Sequence, residues 1–126
     1  MIEEEYISFE TAKLAKEKGL DIPTRYGFSE RRSLVRVDTS DNWNQDKELY
    51  SRPTQSLLAR WLREKHKMIV SCVFNYETKM WTYFIGNYNN PISKSSKEYN
   101  FYEDAMEAGL QEALNLFESA VKPTNL

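Results

Sequence analysis

Leu57, Leu58, Trp61 and Leu62 recur at the spacing of one helical face within the stretch Ser51 to His66. That stretch predicts an amphipathic helix capped by Ser51, with Pro53 in its first turn, where a missing N–H costs nothing. Ser56, Arg60, Arg63 and Lys67 fall on the opposite side. The pattern then changes period. Met68, Val70, Cys72 and Phe74 alternate along one strand, and Trp81, Tyr83 and Ile85 along a second, with Tyr76-Glu77-Thr78-Lys79 as the turn. In that register Phe74 faces Trp81, Cys72 faces Tyr83 and Val70 faces Ile85, so all six share one face of a hairpin.

Earlier in the chain, Ser8 caps a helix that runs to Lys18, with Thr11, Ala12, Leu14 and Ala15 on its inward side. Gly19 ends it and Leu20 folds back, before Ile22-Pro23 makes a stop. Between Thr24 and Tyr50 the pattern is weak. Tyr26-Gly27-Phe28 reads as a turn, Leu34-Val35-Arg36-Val37 as a short strand, and Asp38 to Asp46 as a polar, variable loop. After the hairpin comes a long loop from Asn87 to Lys97, with room for a short third strand near Glu98 and Tyr99. Asn100 and Glu103 suggest a capping box for a last helix. Its apolar arc holds Phe101, Ala105, Met106, Gly109, Leu110, Ala113, Leu114, Phe117 and Val121; Asp104, Glu107, Gln111 and Glu118 face water. The expected fold is one α+β domain over residues 1–126, in the order α-(β)-α-β-β-α. Its antiparallel sheet is built on the central hairpin and packed against about three helices. Trp61, Phe74, Trp81, Leu110 and Phe117 belong to the expected core.

Composition narrows the setting. With 126 residues, 40% hydrophobic and 29% charged, the chain is an ordinary globular length. A net charge of −2 gives no general attraction for nucleic acid or membranes. One cysteine, Cys72, excludes an internal disulfide and fits a reducing compartment. The acidic start Met1-Ile2-Glu3-Glu4-Glu5 is unlike a signal peptide, and no apolar run approaches the roughly 20 residues of a membrane span. The expectation is a cytoplasmic protein of a bacterial cell with no membrane contact.

Three blocks carry a resemblance: Ile7 to Gly19, Pro53 to His66, and Tyr102 to Leu114, together about a third of the chain. They resemble a family of small hypothetical proteins from phages and prophage-bearing Bacteroidota. The resemblance implies a mobile-element setting; it brings no activity, cofactor or catalytic residue. The blocks coincide with the three helices and so speak to fold more than to a site.

No catalytic constellation emerges. His66 stands alone between Lys65 and Lys67, without the second ligand a zinc site needs or the oriented partner of a general base. Cys72 lies on an apolar strand face, where a thiol behaves as a small hydrophobe. The four glycines form no phosphate loop, and Asp38, Asp41 and Asp46 lack the spacing of a calcium loop. No metal or cofactor is expected. Positive charge gathers in the first half, at Arg25, Arg31, Arg32, Arg36, Arg52, Arg60, Arg63 and Lys67. The reading is a small non-enzymatic accessory or protein-interaction protein. The alternative is nucleic-acid binding by Arg52, Arg60, Arg63 and Lys67 on the central helix. Ile69, Val73 and Phe84 line the hairpin's reverse face, which is less polar than a solvated face should be. A helix covering it, a second subunit or a partner protein would each explain that; a homodimer burying Phe84 or the open hairpin edge is the expectation.

Overall fold

The computed structural model describes residues 3–29, 31, 34–45 and 49–116, without the side chains of 35–41. The fold is α+β. Helices α1 (Phe9–Glu17), α2 (Gln55–His66) and α3 (Tyr102–Asn115) accompany six strands: β1 (Thr24–Ser29), β2 (Leu34–Asp41), β3 (Leu49–Ser51), β4 (Ile69–Asn75), β5 (Met80–Gly86) and β6 (Pro91–Lys94). The strands form two antiparallel three-stranded sheets, ordered β2-β1-β3 and β4-β5-β6. The chain divides into two compact units, one of Tyr6–Thr54 with residues 114–116 and one of residues 3–5 with Gln55–Ala113.

In the unit holding the first sheet, α1 begins and ends as its sequence dictates. Ser8 accepts a hydrogen bond from the Thr11 N–H. At the other end Gly19 takes φ 91°, and the N–H groups of Gly19 and Leu20 donate to the carbonyls of Lys16 and Ala15. That paired cap satisfies carbonyls the helix leaves open. The Lys16 Nζ donates to the Leu49 carbonyl at 2.8 Å, and the Phe9 ring meets Phe28 and Tyr50 edge-on at 5.6 and 5.3 Å. α1 therefore lies on the face that carries Phe28 and Tyr50, which are direct partners across β1 and β3.

The opposite face carries Gly27. Tyr26-Gly27-Phe28 is not a turn but the middle of the central strand. Gly27 is a strand residue because the indole of Trp43 and the Tyr50 carbonyl occupy the space a Cβ would fill, at 2.8 and 2.9 Å. Trp43, in a short 3-10 turn (Trp43–Gln45), is buried and donates its indole N–H to the Thr24 carbonyl at 2.7 Å. Asn44 beside it donates to Leu20 O and accepts from Ser51 N. The segment expected to be a variable polar loop instead holds the sheet's cover, and β2 extends through Asp41.

The second sheet follows the expected register: Val70↔Ile85, Cys72↔Tyr83 and Phe74↔Trp81. Asn75 closes the turn by accepting from the N–H groups of Glu77 and Thr78, and Lys79 takes φ 60°. Val70, Tyr83 and Ile85 are buried. α3 rests directly on them, since a Cβ on Gly109 would come within 2.9 Å of Val70 Cγ1 and 3.1 Å of the Tyr83 Cβ. Gln55 joins α2 to α3 by donating to the Glu103 carbonyl and the Glu107 carboxylate, each at 2.9 Å. Trp61 and Leu110 are buried as expected.

Several expectations need correction. α2 starts at Gln55, so Ser51 does not cap it but ends β3, and Pro53 precedes the helix. Phe74 and Trp81 are half-buried, because they lie near the turn in an edge-on run of rings, Tyr76–Phe74–Trp81–Tyr102. α3 starts at Tyr102, not after an Asn100 cap, and Phe101 is 64% exposed. The third strand is Pro91–Lys94 within the supposed loop, while Tyr99 makes only an isolated bridge to Trp81. Glu107 is half-buried through its bond to Gln55. Phe117, Glu118, Val121, Arg32 and Asp46 lie outside the described residues, as do the side chains of Arg36, Asp38 and Asp41.

Candidate functional site

Alternation along the second sheet sends Val70, Cys72, Tyr83 and Ile85 one way and Ile69, Ser71, Val73, Thr82 and Phe84 the other. α3 covers the first face. Among the described residues no helix lines the depressions on the second, where Val73 is 47% exposed and Ile69 and Phe84 are half-buried. β6 extends this face: Lys94 pairs with Phe84, and its Nζ stands 5.9 Å from the Phe84 ring centre. Ile92 is exposed on the same strand. Two shallow depressions meet at Phe84. One, of about 730 Å³, is lined by Val73, Tyr76, Thr82, Phe84, Lys94 and Glu98. The other, of about 330 Å³, is lined by Ile69, Ser71, Phe84, Tyr88 and Pro91. The surface is apolar at its centre with charges of both signs at its rim, which suits burial against another macromolecule.

Arg60, Arg63 and Lys67, the expected phosphate contacts, are all exposed. Arg60 donates from Nε to Glu64 at 2.7 Å; that bond raises the guanidinium's pKa and lowers the carboxylate's. A carboxylate thus stands in the middle of the basic stripe. Lys67 closes the helix at φ 57°, its Nζ 5.8 Å from the Tyr88 ring centre. Arg63, Lys65 and Lys67 gather at the C-terminal end of α2, while Glu3, Glu4 and Glu5 line a recess with Gln55 and Ser56 at its N-terminal end. That distribution is what the helix dipole favours, so it needs no phosphate to explain it. Arg52 is a correction: it precedes α2 and belongs to the other unit. Its Nε donates to the Ile7 carbonyl at 3.2 Å, and its guanidinium lies over the Tyr6 and Phe28 rings at 4.7 and 5.1 Å.

The polar cluster that sequence reasoning missed centres on Glu112. Its carboxylate accepts from the Tyr83 hydroxyl and the Ser93 Oγ, tying α3 to β5 and β6. Burial first, then the bond to Glu112, pushes the Tyr83 ionisation upward. Glu112 follows Gly109 by three residues and so shares its sheet-facing side, the one signal the sequence offered. The cluster fixes a helix to a sheet. His66 packs edge-on to Trp61 at 4.7 Å, and burial lowers its pKa, as befits a helix-end side chain. Among the described residues no group of three or more His, Cys, Asp or Glu could hold a metal ion. No described helix is long and apolar enough to cross a membrane.

No family model, curated protein or solved structure matches this chain.

Proposed function

We propose that this chain is a small interaction protein that acts as a homodimer, with the helix-free side of its second sheet as the working surface. The observation that carries the reading is Val73, 47% exposed beside half-buried Phe84 on an apolar face that α3 leaves uncovered. A sheet that ends against water normally alternates more cleanly. An apolar patch on a folded domain marks an interaction site, and twofold pairing is the commonest form of self-association. The resemblance of the three helical blocks supports an accessory role in a phage or mobile element, within the bacterial cytoplasm. The Arg60–Glu64 pair weighs against a phosphate-binding helix face, since it compensates the stripe's central charge.

Light scattering coupled to size exclusion tests the reading. Twice the chain mass is expected for the native protein at micromolar concentration. A monomer at every accessible concentration overturns the proposal.

A further inference from the structure

We infer that the homodimer forms by strand addition: β4 of one copy pairs antiparallel with β4 of a second across a twofold axis through Cys72, giving one continuous six-stranded sheet. The inference rests on the dimer reading and sets the contact at the sheet's edge, so that the helix-free sides of the two copies join into one surface.

The outer edge of β4 has open backbone groups. Trp81 exchanges both backbone bonds with Tyr99, at 2.7 and 2.8 Å, and the Tyr83 carbonyl accepts from Ser95 N. Trp81 and Tyr83 therefore direct their backbone groups away from β4. Successive residues of a strand alternate in this respect, so Thr82 and Phe84 direct theirs toward β4, opposite Val73 and Ser71. On β4 the N–H and C=O groups of Val70, Cys72 and Phe74 consequently point outward, and no described backbone or side-chain group bonds them.

Within β4 no device guards this edge. Ile69–Asn75 contains no charged residue and no proline, and its register with β5 runs without a bulge from Ile69↔Gly86 to Asn75↔Met80. Edges normally carry one of those devices against pairing with another chain.

The occupant that fits this edge is a second copy of the chain. A twofold axis relating antiparallel strands stands perpendicular to the sheet and keeps each side chain on its own face. Only pairings between residues of the same parity are then allowed. Centring on Cys72 pairs Val70 with Phe74 of the second copy and Cys72 with its own counterpart, so all three outward residues bond in both directions. Centring on Ser71 or Val73 engages fewer of them. The same register sets Ser71 against Val73 and brings Lys67 toward Glu77 of the second copy, twice by symmetry. Lys67 and Glu77 are exposed and opposite in charge. The strand is thus complementary to itself in hydrogen bonding, in face polarity and in the charges at its two ends.

Residue-resolved amide exchange on the intact chain tests the inference. In a concentrated sample the amides of Val70, Cys72 and Phe74 should exchange at least about tenfold more slowly than after dilution to the monomer, while those of Ser71 and Val73, bonded to β5, change little. Cys72→Pro removes the central outward N–H without touching the β4–β5 ladder, so it should yield a monomer with native circular dichroism. Lys67→Glu should weaken association by roughly two- to tenfold, and Glu77→Lys in the same chain should restore it. A dimer whose three outward amides show no concentration-dependent protection overturns strand addition while leaving the dimer itself standing. A monomer overturns both. Should Cys72→Pro fail to fold, amide exchange on the native protein still decides.

Discussion

Gly27→Ala places one methyl group where the first sheet has no room. The new Cβ would stand 2.8 Å from Trp43 Cδ2, 2.9 Å from Tyr50 O and 3.0 Å from Trp43 Cγ. Neither neighbour retreats freely. The indole is anchored by its bond to the Thr24 carbonyl, and Tyr50 O belongs to β3, which is paired with β1 at Gly27↔Ser51. Removing glycine from a strand interior returns about 0.5–1 kcal/mol through the unfolded chain. Overpacking costs about 1–3 kcal/mol; with both neighbours held, the upper half of that range applies, so the net effect should be a destabilisation of about 1–2.5 kcal/mol. Complete expulsion of Trp43 sets the upper bound at about 3–5 kcal/mol, the cost of truncating a buried tryptophan. Urea unfolding followed by circular dichroism measures the change. Because the strain passes largely through the indole, Gly27→Ala and Trp43→Ala should cost less together than the sum of the two alone. Unchanged or increased stability in Gly27→Ala, or strict additivity with Trp43→Ala, would refute the reasoning.

Ser51 offers a change of opposite sign. Its Oγ is buried without a hydrogen-bond partner among the described residues, so Ser51→Ala should raise the unfolding free energy by about 1 kcal/mol in the same urea assay, and a loss of stability would show that the hydroxyl is bonded after all. The Cys72 thiol is pushed up to about 11, by burial first and then by the Glu103 charge. Its folded pKa lies above the unfolded one, so the stability it contributes is present below about pH 9 and is lost as pH rises toward 11. Cys72→Ser should flatten that decline in thermal melts. At pH 8 iodoacetamide should modify the native thiol about 100-fold more slowly than the unfolded one, from thiolate fraction alone, and equal rates would contradict the burial.

What was legible in the sequence is what is local. Ser8, Gly19 and Leu20 define α1 within a dozen residues, and the alternation of Val70, Cys72 and Phe74 against Trp81, Tyr83 and Ile85 fixes a hairpin with a four-residue turn. The first sheet was hidden because its strands depend on partners distant in sequence. Gly27 resembles a turn until Trp43, far along the chain, is known to lie on it. Pro53 resembles a first-turn proline although the helix begins two residues later. Arg52 was read as a member of a helical stripe, yet it lies over the rings of Tyr6 and Phe28, one of which is more than forty residues away in sequence. The open face was visible as a failure of alternation at Ile69, Val73 and Phe84. The carboxylate of Glu112 was not, since a lone acidic residue in an acidic helix carries no sign that two hydroxyls await it.

The sheet's other border is built differently. β6 has only four residues, opens with Pro91, which has no N–H to offer a newcomer, and closes with exposed Lys94. With β4 as the receptive border inferred above and β6 closed, each molecule has a valence of one along the direction of this sheet's growth. Units with two receptive borders propagate into fibrils; units with one run out of attachment points as soon as they meet. In the inferred dimer growth terminates at a pair, and the same short proline-led strand that merely finishes the fold in one copy is the stopper on a polymer.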